Sequence, residues 1–229
     1  MHVEWYGQSA FRLTDGGTSV FIDPFGAAIA EIIAARGMRF DYPPIAGVAA
    51  DLLLVTHEHG DHNAVEVIEG SPQLLRSTAG TLTSDAVGDV LGVASEHDDV
   101  AGTQRGANVL YAFELGGLRV AHLGDLGQRA LRDEQLAALG SVDLLFVPAG
   151  GGPTIGGEQA ATIAAQLGAR WTVPMHYRTA RTSFLEPVDD LVAHSPRVAW
   201  LDEPAFDLAS VGDGDGDGDG PLVIVPAAP

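Results

Sequence analysis

Thr56-His57-Glu58-His59-Gly60-Asp61-His62 packs three imidazoles and two carboxylates into six consecutive positions, directly after the apolar run Leu52-Leu53-Leu54-Val55. An uninterrupted apolar run of that length predicts a strand buried on both faces. In layered α/β proteins, ligand sites open just beyond the C-terminal ends of such strands. Extended backbone sends His57 and His59 to the same side, where they can share one ion. Gly60 permits a bend that turns Asp61 and His62 toward a second ion. Without thiolates, imidazole and carboxylate donors suit zinc, manganese or iron. The competing reading is a polar surface loop with chance histidines, and the density of ligand-type side chains argues against it.

Outward from this run, the chain begins with short β-prone segments at 2–5, 10–13 and 19–22, separated by glycine-containing turns. A helix is expected over 27–36, ended by Gly37. Strands are expected at 74–77, at 109–114 and 118–123 as a hairpin around Gly116-Gly117, and at 144–147, 171–173 and 198–201. Helices are expected at 131–139, 158–167 and 188–194. Residues 222–225 read as a final edge strand. The order suggests one domain over 1–229, with layered sheets covered by helices on the outside. Asp213-Gly214-Asp215-Gly216-Asp217-Gly218-Asp219-Gly220 opens like a calcium loop, but Ile224 stands where the closing glutamate is required. A flexible, solvated loop over 212–220 is the better expectation.

Three further residues stand at expected strand ends: His97 in Ser95-Glu96-His97-Asp98, Asp125 in His122-Leu123-Gly124-Asp125, and His176 in Val173-Pro174-Met175-His176. Together with the first run they form His-x-His-x-Asp-His, then a histidine, an aspartate and a histidine. This order resembles the metallo-β-lactamase superfamily, and the likeness extends from Ile22-Asp23-Pro24 to Pro174-Met175-His176-Tyr177. The stretches 122–125 and Val147-Pro148-Ala149-Gly150-Gly151 are similar to small bacterial metal-dependent hydrolases related to L-ascorbate-6-phosphate lactonase. That subgroup often has an aspartate after Thr-Ile, whereas Thr154-Ile155 is followed here by Gly156-Gly157. The resemblance implies an α/β fold of four αββα layers. It assigns His57, His59 and His97 to a first metal, Asp61, His62 and His176 to a second, and Asp125 to a bridge. It implies two divalent ions, zinc foremost, with manganese or iron as alternatives, and a hydrolase whose metal-bridging hydroxide attacks a small ester, lactone or phosphodiester. Asp61 and His176 are the catalytic candidates. Asp23 is a candidate to orient the histidine loop from behind, as outer carboxylates do. His122 is either a second such residue or a hydrogen-bonded core histidine. Tyr177, Arg178 and Arg181 are candidates for gripping an anionic substrate, against the plainer reading of surface pairing.

Composition narrows the partners. The 229 residues carry 31 acidic and 12 basic side chains, for a formal net charge of −19. That balance disfavours nucleic acid and anionic membranes. Every basic residue is arginine, so lysine Schiff bases and Walker-type phosphate loops are excluded. With no cysteine there are no disulfides or thiolate ligands. The first residues do not read as a signal peptide, and no apolar run reaches the ~20 residues of a membrane span, so a cytoplasmic protein is expected. The sequence is compatible with a homo-oligomer. The alternatives to a small-molecule hydrolase are a phosphodiesterase or nuclease of the same fold, an iron-dependent oxidoreductase, and a non-catalytic metal-binding module.

Overall fold

The computed structural model describes residues 1–212 and 221–229. The Asp/Gly repeat, and with it the expectation of a flexible loop there, lies outside the described residues. The chain opens with β1 (His2–Gly7), β2 (Ala10–Asp15), β3 (Thr18–Ile22) and helix α1 (Ala27–Ala34). There follow β4 (Val48–Ala49), β5 (Leu52–Val55), β6 (Ile68–Glu69), β7 (Gln73–Arg76), β8 (Gly80–Ser84), β9 (Gly88–Glu96), β10 (Ala107–Leu115) and β11 (Leu118–His122). Next come α2 (Asp133–Leu139), β12 (Leu144–Pro148), α3 (Gly157–Gln166), β13 (Trp171–Met175) and α4 (Asp189–Ala193). The last elements are β14 (Arg197–Trp200), β15 (Ala205–Asp207), α5 (Leu208–Val211) and β16 (Leu222–Val225).

Two large sheets form, in the order β15-β1-β2-β3-β5-β7 and β14-β16-β13-β12-β11-β10-β9-β8. The period-two alternation of strands explains how the first sheet serves two cores. Phe11, Leu13, Val20, Ile22, Leu52 and Leu54 face the second sheet, while Ala10, Phe21 and Leu53 face Ile33 of α1 and the aromatic loop Phe40–Tyr42. Across the interface Phe11 meets Phe146 with ring centroids 4.5 Å apart. Helices α2 and α3 pack on the second sheet, and α4 packs on α3. The result is a four-layer αββα sandwich. Among the described residues no helix is long and apolar enough to cross a membrane.

Three expectations change. Residues 222–225 form a strand, but not at an edge: β16 pairs with both β13 and β14, and all four of its residues are buried. The edge is β14, whose Trp200 is exposed. The polar, glycine-bearing β8 was not anticipated, because its residues are mostly exposed and lack an apolar face. The first helix stops at Ala34, and Arg36 and Gly37 close it with turn hydrogen bonds.

Parallel pairing aligns the chain direction of β3 with β5 in one sheet and of β11, β12 and β13 in the other. Their C-terminal ends carry Asp23, the histidine run, Asp125 and His176. Sheet connectivity therefore collects residues from distant parts of the chain.

Candidate metal centre

His57, His62, His97, Asp125 and His176 are all buried, His59 is exposed, and Asp61 is intermediate. The site thus lies at the C-terminal ends of strands from both sheets, with its ligands buried except for His59 and the half-buried Asp61. Two groups of donor atoms converge, one from His57, His59 and His97 and one from Asp61, His62 and His176, the atoms of each group lying within 4.8 Å of one another. Asp125 Oδ2 lies between them. It is 3.2 Å from Nε2 of His97 and of His176, 3.3 Å from Nε2 of His62, and 3.9 Å from Nε2 of His57. A third convergence, Asp23 with His57 and His62, lies deeper and is fully buried.

The surrounding hydrogen bonds decide which ring nitrogens are free. Asp23 accepts from the Thr56 amide at 2.8 Å and the Thr56 hydroxyl at 2.6 Å, and pairs with His62 Nδ1 at 3.0 Å. Thr56 Oγ1, its proton committed to Asp23, can accept from His57 Nδ1 at 3.1 Å. The Pro153 carbonyl lies 3.1 Å from His97 Nδ1. In each case an acceptor holds the proton on Nδ1 and leaves a lone pair on Nε2, the arrangement metal-binding histidines adopt. Nε2 of His57 and of His62 is buried and makes no hydrogen bond among the described residues. Buried polar atoms are rarely left unpaired, and a divalent cation supplies the missing partner. The donor set therefore fits metal ions.

Electrostatics agree. Burial alone would raise the Asp125 carboxyl, but His176 and His62 hold it well below the usual range. Asp61 is likewise lowered, burial being outweighed by His62. His57 is pushed down to about 3, first by burial and then by His62. Burial also disfavours a charge on His62, yet Asp125 and Asp61 raise it well above 6.5. The negative charge of the buried Asp23 and Asp125 and the half-buried Asp61 thus needs a cationic partner, a role a divalent ion fills as well as a proton.

Glu58 sits inside the motif but faces the other way. It accepts from Arg76 Nε at 2.7 Å and Arg76 Nη2 at 2.5 Å, and from Ser77 Oγ at 2.7 Å. It ties the histidine loop to the end of β7. Arg76, followed by the hydroxyl of Ser77, lowers the Glu58 carboxyl to about 2, partly offset by burial. Glu58→Gln should leave the metal content unchanged and cost at most about 1 kcal/mol, as expected of an exposed ion pair. Chemical denaturation with metal analysis of the same sample checks this, and loss of an ion would make Glu58 a ligand.

Gly60 does not need to be glycine for its backbone. Its φ is not positive, and a Cβ there would make only an ordinary contact with Ile29. The turn is closed instead by the His62 amide donating to the His59 carbonyl at 3.0 Å. Gly150 does need to be glycine, because a Cβ would come within 2.1 Å of the His176 carbonyl oxygen.

His122 makes its hydrogen bonds to backbone rather than to a ligand side chain. It is fully buried, with Nε2 3.0 Å from the Ser9 carbonyl and Nδ1 accepting from the Gly124 amide at 3.1 Å. That makes it a core histidine that pins two site loops. Tyr177 is buried and stacks on Trp5 at 5.5 Å, which places it in the core rather than on a substrate-facing surface. Arg181 Nε donates to the Pro229 carbonyl at 2.9 Å. Arg178 is exposed, and among the described residues its side chain has no partner.

Sequence reasoning missed Gln8, Ser9 and Asn108. Gln8 Nε2 donates to Asp61 Oδ2 at 3.0 Å, and Ser9 Oγ lies 3.4 Å from Asp125 Oδ1. The Asp125 amide donates to Asn108 Oδ1 at 3.1 Å. Each acts across a long sequence separation, and no local pattern marks them.

The comparisons with known proteins agree with this geometry. The sequence profile of the beta-lactamase superfamily domain matches residues 2–176. A "UPF0173 metal-dependent hydrolase" of Nitratidesulfovibrio vulgaris is 32% identical over 202 residues, covering 77% of this chain and 80% of the relative. Another, from Thermus thermophilus, is 31% identical and covers 78% and 84% of the two chains. A Thermotoga maritima crystal structure assigned to the metallo-β-lactamase superfamily superposes with a TM-score of 0.75 at 28% identity, covering 99% of this chain and 98% of that one. The chain belongs to the metallo-β-lactamase superfamily, within its family of metal-dependent hydrolases.

Proposed function

We propose that this protein is a hydrolase that works with two divalent ions, zinc by its donor set, on a small ester, lactone or phosphodiester. The observation that carries this reading is the convergence of Nε2 of His57, His62, His97 and His176 on a single carboxylate oxygen, Asp125 Oδ2, with Nε2 of His57 and His62 buried and making no hydrogen bond among the described residues. His57, His59 and His97 would hold one ion; Asp61, His62 and His176 would hold the other; Asp125 would face both. Ions bound there supply Lewis acidity and a water-derived nucleophile at neutral pH.

The chain's own residues do the rest. Asp23 and Thr56 orient His62 and His57. Asp61, less buried than Asp125, and His176, 3.2 Å from Asp125 Oδ2, are the candidates to move a proton during attack. Arg178, two residues beyond His176, exposed and without a side-chain partner among the described residues, is the candidate contact for an anionic group on the substrate. A formal charge of −19 disfavours long nucleic acids.

The test is hydrolysis of a panel of lactones, aryl esters and bis-aryl phosphodiesters, with neutral and anionic examples of each, by zinc-loaded wild type and Arg178→Ala. Metal-dependent turnover is expected in at least one class, with KM for its anionic members raised in the variant and kcat kept. Absence of turnover across the panel would overturn the substrate reading. An unchanged KM would remove Arg178 from it.

A further inference from the structure

The turn between β1 and β2 reaches into the metal centre, although no motif marks it. Gln8 and Ser9 are both fully buried. The two side chains bind two different carboxylates: Gln8 Nε2 takes Asp61 Oδ2 at 3.0 Å, and Ser9 Oγ takes Asp125 Oδ1 at 3.4 Å. Asp125 thereby has its two oxygens divided, Oδ1 toward Ser9 and Oδ2 toward the imidazoles. The backbone of the turn is held as well. The Gln8 carbonyl accepts from the Trp5 indole at 3.1 Å and from the His176 amide at 3.3 Å, and the Ser9 carbonyl faces His122 Nε2 at 3.0 Å.

This turn carries two costs that ordinary packing does not require. Gln8 has φ +50, a left-handed conformation that a non-glycine residue adopts at a penalty. Its Oε1 is buried with no hydrogen-bond partner among the described residues. A glycine would relieve the first cost and an apolar side chain the second. Neither could donate to Asp61.

We propose that Gln8 and Ser9 form a carboxylate clamp, two positioning residues that fix the rotamers of Asp61 and Asp125, keeping Asp125 Oδ2 among the imidazoles and Asp61 Oδ2 3.5 Å from His62 Nε2. This rests on the two-ion reading above. Carboxylates that face metals are commonly held by such outer hydrogen bonds, and their loss typically weakens binding or activity about 10- to 100-fold. The clamp should matter most for the ion that Asp61 holds, because Asp61 is less enclosed than Asp125.

The experiment titrates zinc into metal-free wild type, Gln8→Met, Gln8→Gly and Ser9→Ala by calorimetry, with thermal melting of each metal-free protein alongside. Wild type is expected to show two binding events. Gln8→Met and Gln8→Gly should each weaken one event by about 10- to 100-fold and leave the other near wild type. Metal-free Gln8→Gly should melt no lower than wild type, because it removes the strained φ. Ser9→Ala should weaken both events, since Asp125 faces both ions. If wild type shows two events and both Gln8 variants match it, the clamp is refuted while the two-ion reading stands. If wild type itself shows fewer than two, the two-ion reading fails first. A Gln8→Gly protein that loses metal-free stability in parallel with zinc affinity would make Gln8 a structural residue and overturn the proposal.

Discussion

Asp125→Asn is expected to abolish hydrolysis and to strip the protein of its ions while leaving it folded. Asparagine keeps the shape of the side chain, the backbone bond to Asn108 and an acceptor for Ser9. It removes the negative charge from the oxygen that Nε2 of His62, His97 and His176 approach within 3.3 Å. Without that charge, imidazoles on both sides of the centre lose their common counter-ligand. If the ions contribute about 5 kcal/mol of transition-state stabilisation, kcat/KM should fall by about 10³–10⁴, at roughly 1.4 kcal/mol per factor of ten. Asp125→Ala should do the same with an added stability cost. Retention of both ions, or activity within tenfold of wild type, would show that Asp125 is not shared between the two groups.

The second large effect falls on stability. Asp23 is fully buried and satisfies three donors at once, the Thr56 amide, the Thr56 hydroxyl and His62 Nδ1. Asp23→Ala strands all three in a closed site and breaks a buried ionic contact, which typically costs about 3–5 kcal/mol. For a chain of this size each kcal/mol moves the melting temperature by about 2–4 °C, so the variant should melt about 10 °C lower. Alanine is also poorly suited to the φ of +52 at this position. Asp23→Asn should be milder, since it retains an acceptor for the Thr56 amide. Calorimetry of metal-free protein isolates the effect from ion binding. A drop of less than about 2 °C would mean that Asp23 is dispensable to the His62 network.

Much of this site was legible because its main elements are local. The histidine run follows an apolar strand, and alternation along extended backbone separates His57 and His59 from Glu58, which the structure turns out to Arg76. His97, Asp125 and His176 lie after β9, β11 and β13, at strand ends that apolar patterning could mark. The family pattern then supplied their grouping, which periodicity alone cannot. What stayed hidden is non-local. Gln8 and Ser9 act on residues 53 and 116 positions away. The insertion of β16 between β13 and β14 is a matter of strand order, to which local hydropathy is blind. Tyr177 reads as a polar residue beside a ligand, yet its neighbour in space is Trp5, near the start of the chain.

Zinc content decides whether a pair of ions is held around Asp125. Metal-free protein is reconstituted with excess zinc, desalted, and assayed for zinc per chain by elemental analysis, with Asp125→Asn in parallel. A pair of ions around Asp125 implies about two zinc ions per wild-type chain and a loss of both in the variant. A wild-type value of one or fewer, or a variant that keeps two, would contradict it.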